Sequence, residues 1–155
     1  MSKVQQVVQR LMDRGLRITF AESCTGGMAA AALVDVPDAS KVFDGSFVTY
    51  ANLLKMELLG VWGDTIAQQG VVSEAVATQM AVGAAERTGA QVAVGISGIA
   101  GPGGGTPQKP VGTVCFGFLI EEELFSATCH FEGLDRLGVR QAAVDFVYET
   151  LLNKL

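Results

Sequence analysis

Apolar residues at Val4, Val7, Val8, Leu11 and Met12 recur at the spacing of one helical face, and Gly15 supplies the stop. Residues 17–21 then read as a short strand. A second helical stretch, rich in small residues, opens at Gly26 and Gly27 and ends before Pro37. Residues 42–50 read as a strand interrupted at Asp44 and Gly45, and Asn52 is placed to cap a helix that runs through Leu59 to a stop at Gly60. Ser73, with Glu74 in the first turn, caps a long helix bearing Val76, Met80, Ala84 and Ala85 on one face. A strand over 91–97 follows. Residues 98–110 hold five glycines and three prolines, which makes them a loop. The runs 111–120 and 124–131 read as strands of a hairpin turned at Glu121, Glu122 and Glu123. Leu137, Val139, Ala143, Phe146, Val147 and Leu151 mark a final amphipathic helix. Helices alternating with strands, plus one hairpin, predict a three-layer α/β/α sandwich with a mixed sheet, in one domain over residues 1–155.

Composition narrows the function classes. Apolar residues make up 49% and charged residues 17% of 155, which excludes a disordered chain. No apolar run approaches the ~20 residues of a membrane span, and the start lacks a signal-peptide core, so the expectation is a soluble, cytoplasmic protein with no membrane partner. A net charge of −5 with no cluster of adjacent Lys and Arg argues against a nucleic-acid partner. The three cysteines, Cys24, Cys115 and Cys129, form no C-x-x-C pair, so neither a disulfide framework nor a zinc site is expected. No metal or cofactor is called for.

Scarcity then guides the search for chemistry. His130 is the only histidine, and strand alternation puts it on the solvent side with Leu124, Ser126 and Thr128. From Ile18 to Glu86 the only basic residues are Lys41 and Lys55. The segment Ala21-Glu22-Ser23-Cys24-Thr25-Gly26-Gly27 lies where a strand turns into a helix. Its glycines let a ligand approach the backbone, and free N–H groups at such a turn favour anions. Two readings stay open: Ser23 or Thr25 as an ordinary cap, or Ser23 as an exposed nucleophile with N–H donors behind it. The second segment, Ser97-Gly98-Ile99-Ala100-Gly101-Pro102-Gly103-Gly104-Gly105-Thr106, reads either as a flexible loop or as backbone wrapped around a phosphate or sugar. It matches neither the P-loop nor G-x-G-x-x-G.

These segments, in order, resemble the CinA C-terminal domain family. The resemblance rests on 21–27, on Phe47-Val48-Thr49-Tyr50-Ala51-Asn52 with Lys55, and on Gly70-Val71-Val72-Ser73-Glu74. It continues through Ser97 to Pro102, Lys109-Pro110-Val111-Gly112-Thr113-Val114, and Phe131-Glu132-Gly133 with Val139-Arg140. It runs over residues 4–153. The resemblance implies a five-stranded, mostly parallel sheet with one antiparallel strand, a homo-oligomer that is most often a dimer, and hydrolysis of the nicotinamide mononucleotide carboxamide to nicotinate mononucleotide and ammonia. It implies Ser23 as nucleophile and Lys55 as base, with Tyr50 nearby. Backbone N–H groups of Thr25, Gly26 and Gly27 become candidates for an oxyanion hole. Ser97, Gly98, Gly101, Gly103, Gly104 and Thr106, with Arg136 and Arg140, become candidates for holding the ribose phosphate. Leu134, inserted between Gly133 and Asp135 relative to the family's Gly-Asp-Arg, leaves both arginines open. For Lys55 to be neutral near pH 7 its pKa must fall by roughly 3 units, and burial against Leu54 and Leu58 is the expected cause. The alternatives are a silent family member that binds a pyridine nucleotide without hydrolysing it, and a competence- or damage-linked interaction module.

Overall fold

The computed structural model describes residues 1–155. The elements are α1 (Lys3–Arg14), β1 (Ile18–Glu22), α2 (Met28–Val34), β2 (Phe47–Val48), α3 (Asn52–Leu59), α4 (Gly63–Gln69), α5 (Glu74–Thr88), β3 (Val92–Gly98), β4 (Thr113–Ile120), β5 (Glu123–His130) and α6 (Arg136–Lys154). The sheet runs β2-β1-β3-β4-β5. β1 is parallel to β2 and β3, whereas β4 is antiparallel to both of its neighbours, so β4 alone runs against the rest.

Strand alternation sorts side chains by size. Ile18, Phe20, Val92, Val94, Ile96, Phe116 and Phe118 point to one face, where α1, α2 and α6 bury Val8, Leu11, Leu33, Val139, Val147 and Leu151 against them. The opposite face carries Ala21, Ala93, Gly95 and Gly117. There α5 lies almost on the backbone. Gly95 and Gly117 are register partners, and a Cβ on Gly95 would sit 2.0 Å from the Ala77 carbonyl oxygen, one on Gly117 2.5 Å from Thr78 Cα. Helix backbone cannot yield as a side-chain tip can. Gly95→Ala is therefore expected to lower unfolding free energy by about 1–3 kcal/mol or more, read as a shifted midpoint in chemical denaturation.

Several expectations change in detail. The strand expected over 42–50 is only the two residues of β2, plus one bridge between Ile18 and Phe43. Between them Thr19 Oγ1 donates to the Gly45 carbonyl, so a side chain of β1 replaces the ladder. Asn52 is the first residue of α3 and not its cap; Ala51 occupies the cap position. α4 has no fully buried residue, so no apolar periodicity marks it in the sequence. β4 begins at Thr113 because Gly112, at φ +93°, turns the chain beside the Phe131 carbonyl. No helix is long and apolar enough to cross a membrane.

The chain leaves β1 toward β2 on one side and reaches β3 on the other. The carboxyl ends of β1 and β3 thus flank the point where strand order reverses, the usual place for a ligand crevice in such sheets.

Candidate active site

Three loops converge at that point. Ser23 and Cys24 follow β1, Tyr50 follows β2, and Ser97 and Gly98 end β3. With Asn52, Lys55, Val71, Ala100 and Arg136 they line a cavity of about 160 Å³. The preceding residue, Glu22, is wholly buried, and its carboxylate accepts from the Ala29 and Ala30 N–H groups, which ties the Ser23 turn to the first turn of α2.

Lys55 is the most unusual residue of the site. It projects from the inner face of α3 and is 1% exposed. Its Nζ lies 3.1 Å from Ser23 Oγ, 2.7 Å from the Thr49 carbonyl oxygen and 2.9 Å from that of Tyr50. Burial lowers its pKa from 10.5 to about 8. The expected source of that burial is corrected. Leu54 and Leu58 are 38% and 43% exposed, while Leu59, one turn beyond Lys55, packs inward with it. Helical phase explains this, since positions four apart share a face. In its charged form the ammonium donates to all three oxygens. When neutral, the amine places its two N–H groups on the carbonyls, which can only accept, and leaves its lone pair for the Ser23 hydroxyl. The pair can therefore pass a proton from serine to lysine.

Cys24, beside Ser23, is 6% exposed, and burial pushes its thiol up to about 11. It remains protonated at neutral pH and is a poor rival nucleophile.

Arg136 bridges the cavity mouth. Its Nη1 donates to the Gly101 carbonyl oxygen at 2.7 Å and its Nη2 to Tyr50 Oη at 3.0 Å. Arg140, one turn later on α6, points elsewhere. It donates to the carbonyl oxygens of Cys24 and Thr25 from behind the Ser23 turn and does not line the cavity.

The other candidates divide. Ser97 lines the cavity, and its hydroxyl donates to the Val71 carbonyl at 2.8 Å, joining two walls. Gly98 lies beside it. Gly101 is buried and contributes its carbonyl to Arg136. Gly103, Gly104 and Thr106 are exposed and away from the cavity, with Thr106 closing a local turn with Lys109. Thr25, Gly26 and Gly27 lie behind Ser23, not in the cavity wall. The Gly26 N–H is already given to the Ser23 carbonyl, whereas those of Thr25 and Gly27 have no acceptor in the chain. Val71, Ala100 and Glu22 were not singled out as site residues from the sequence; only the full burial of a carboxylate at a strand end distinguishes Glu22.

The sequence model of the CinA C-terminal domain matches residues 1–155. The chain belongs to that family. A relative from Escherichia coli K12, named nicotinamide-nucleotide amidohydrolase PncC, is 46% identical over 149 residues, covering 95% of this chain and 89% of its own. A putative competence-damage inducible protein of Symbiobacterium thermophilum is 49% identical over 148 residues, 90% of this chain but 34% of its own length, so this chain spans about a third of that longer relative. Among solved structures, a competence-damaged protein (CinA) superfamily protein from Escherichia coli superposes with a TM-score of 0.95 at 40% identity, covering 99% of this chain and 88% of the other. Family membership and fold agree with the expectation from sequence.

Proposed function

We propose that this protein hydrolyses the carboxamide of nicotinamide mononucleotide to nicotinate mononucleotide and ammonia by a serine–lysine mechanism. The observation that carries the proposal is the buried Lys55 amine 3.1 Å from Ser23 Oγ, in a chain 46% identical to a nicotinamide-nucleotide amidohydrolase. Ser23 Oγ attacks the carboxamide carbon as its proton moves to Lys55. The tetrahedral intermediate then collapses, the C–N bond breaks, and Lys55 returns the proton to the departing nitrogen. Water, deprotonated by Lys55, cleaves the nicotinoyl ester and restores the Ser23 hydroxyl. An apolar cavity of about 150 Å³ is large enough for a benzene-sized ring. The 160 Å³ here, walled by Val71 and Ala100, suits the pyridine ring and leaves the ribose phosphate at the rim.

At that rim Arg136 is the cation on offer. A charge-assisted hydrogen bond contributes about 1.5–3 kcal/mol, so Arg136→Ala should lower kcat/KM for the mononucleotide by roughly ten- to a hundredfold. Nicotinamide riboside, which lacks the phosphate, should show little change. The primary test is ammonia release from nicotinamide mononucleotide by purified protein, with and without chelator. Binding without ammonia would favour a silent binder instead.

The same proposal covers assembly and place of action. α3 exposes Leu53, Met56 and Leu58, and Val48 and Trp62 are exposed as well; this solvent-facing apolar surface supports a homodimer, which sedimentation equilibrium would test. All three cysteines are free, which suits a reducing cytoplasm.

A further inference from the structure

We infer that Arg140 is a positioning residue that holds the backbone turn carrying the Ser23 nucleophile, and is not a phosphate ligand; the inference rests on the nucleophilic reading of Ser23. Arg140 is half-buried and absent from the cavity wall. Its Nε donates to the Cys24 carbonyl oxygen at 2.9 Å, and its Nη2 to that of Thr25 at 3.3 Å. In a trans peptide the C=O and the following N–H point in opposite directions. A guanidinium that draws the Cys24 carbonyl toward α6 therefore turns the Thr25 N–H away from α6. That N–H has no acceptor in the chain, whereas the next one, on Gly26, is held by the Ser23 carbonyl. One fork thus fixes two successive peptide planes directly after the nucleophile. The backbone at Gly26 fits this arrangement. It sits at φ +58°, and a Cβ there would lie 3.2 Å from Arg140 Nη2, so glycine lets the guanidinium close on the turn.

A phosphate ligand and a positioning residue leave different kinetic traces. The expected result for Arg140→Ala is a fall in kcat of about ten- to a hundredfold, with KM for nicotinamide mononucleotide within about twofold. The loss should be the same for nicotinamide riboside. Guanidinium ion at millimolar concentration should restore part of kcat to this variant. Acylation by p-nitrophenyl acetate provides a second readout independent of the nucleotide. Ser23 Oγ bonds to the acetyl carbon, p-nitrophenolate leaves, and the serine proton passes to Lys55. The acylation rate should fall in parallel with kcat.

A raised KM for the nucleotide alone, with kcat and acylation unchanged, would overturn the inference in favour of phosphate binding. If the parent protein is acylated at Ser23 but releases no ammonia, the amidase reading falls while the ester still decides the role of Arg140. A parent protein with no acylation at Ser23 overturns both. Should Arg140→Ala fail to fold, Arg140→Lys decides, because an ammonium lacks the planar fork that holds two carbonyls. A folded lysine variant with reduced kcat and parental KM supports the inference, and one with parental kcat overturns it.

Discussion

Ser23→Ala is expected to release ammonia from nicotinamide mononucleotide at least about ten-thousandfold more slowly than the parent, because removing a covalent nucleophile also idles the base that serves it. The fold should survive. Ser23 is 8% exposed and its hydroxyl supplies only one of three oxygen contacts to Lys55, leaving the Thr49 and Tyr50 carbonyls in place. A parental melting temperature with lost turnover is the outcome to look for. The adjacent thiol cannot readily substitute. With Cys24 held up to about 11, its thiolate is on the order of one part in ten thousand at pH 7. Activity that survived in Ser23→Ala and vanished in Cys24→Ala would reverse the roles.

The parts of the fold that follow from local pattern are legible in the sequence. Helical faces, the hairpin and the alternation that puts His130 outward all depend on residues within one or two turns of each other. What could not be read depends on contacts across the chain. β2 is short because Thr19, 26 residues upstream, binds Gly45. Arg136 and Arg140 lie one turn apart on α6 and look equivalent in sequence. One meets Gly101 and Tyr50 at the cavity mouth, while the other meets Cys24 and Thr25, 116 and 115 residues away, behind the nucleophile turn. The same limit applies to Lys55. Its neighbours in sequence suggested what would bury it, but helical phase turns Leu54 and Leu58 outward, and the burying atoms come from the β1 and β2 turns. Val71 and Ala100 reach the cavity only through the packing of α5 on the sheet and the bend after β3.

Lys55 ties activity to pH in a way that can be measured twice. If its amine must be neutral to take the serine proton, kcat/KM should rise with pH through about 8 and level off above it. At pH 7 about a tenth of the molecules would then carry the active form, against well under a thousandth for an unperturbed lysine. Lys55→Arg should lose at least about a thousandfold in kcat, since guanidinium keeps its proton throughout this range. Stability carries the same signature. The folded pKa lies below the unfolded one, so between about 8 and 10.5 the unfolded chain binds the extra proton and raising pH stabilises the fold. Below about 8 both states are charged and the cost of burying the ammonium is present in full; above 10.5 both are neutral and it is gone. The interval corresponds to about 3 kcal/mol. Denaturant unfolding of the parent and of Lys55→Met across this range should therefore show the parent gaining stability on the variant by an amount of that order, with other titrations cancelling in the difference. Parallel stability profiles, or a full-rate Lys55→Arg enzyme, would leave the lysine as a fixed charge and require another base for Ser23.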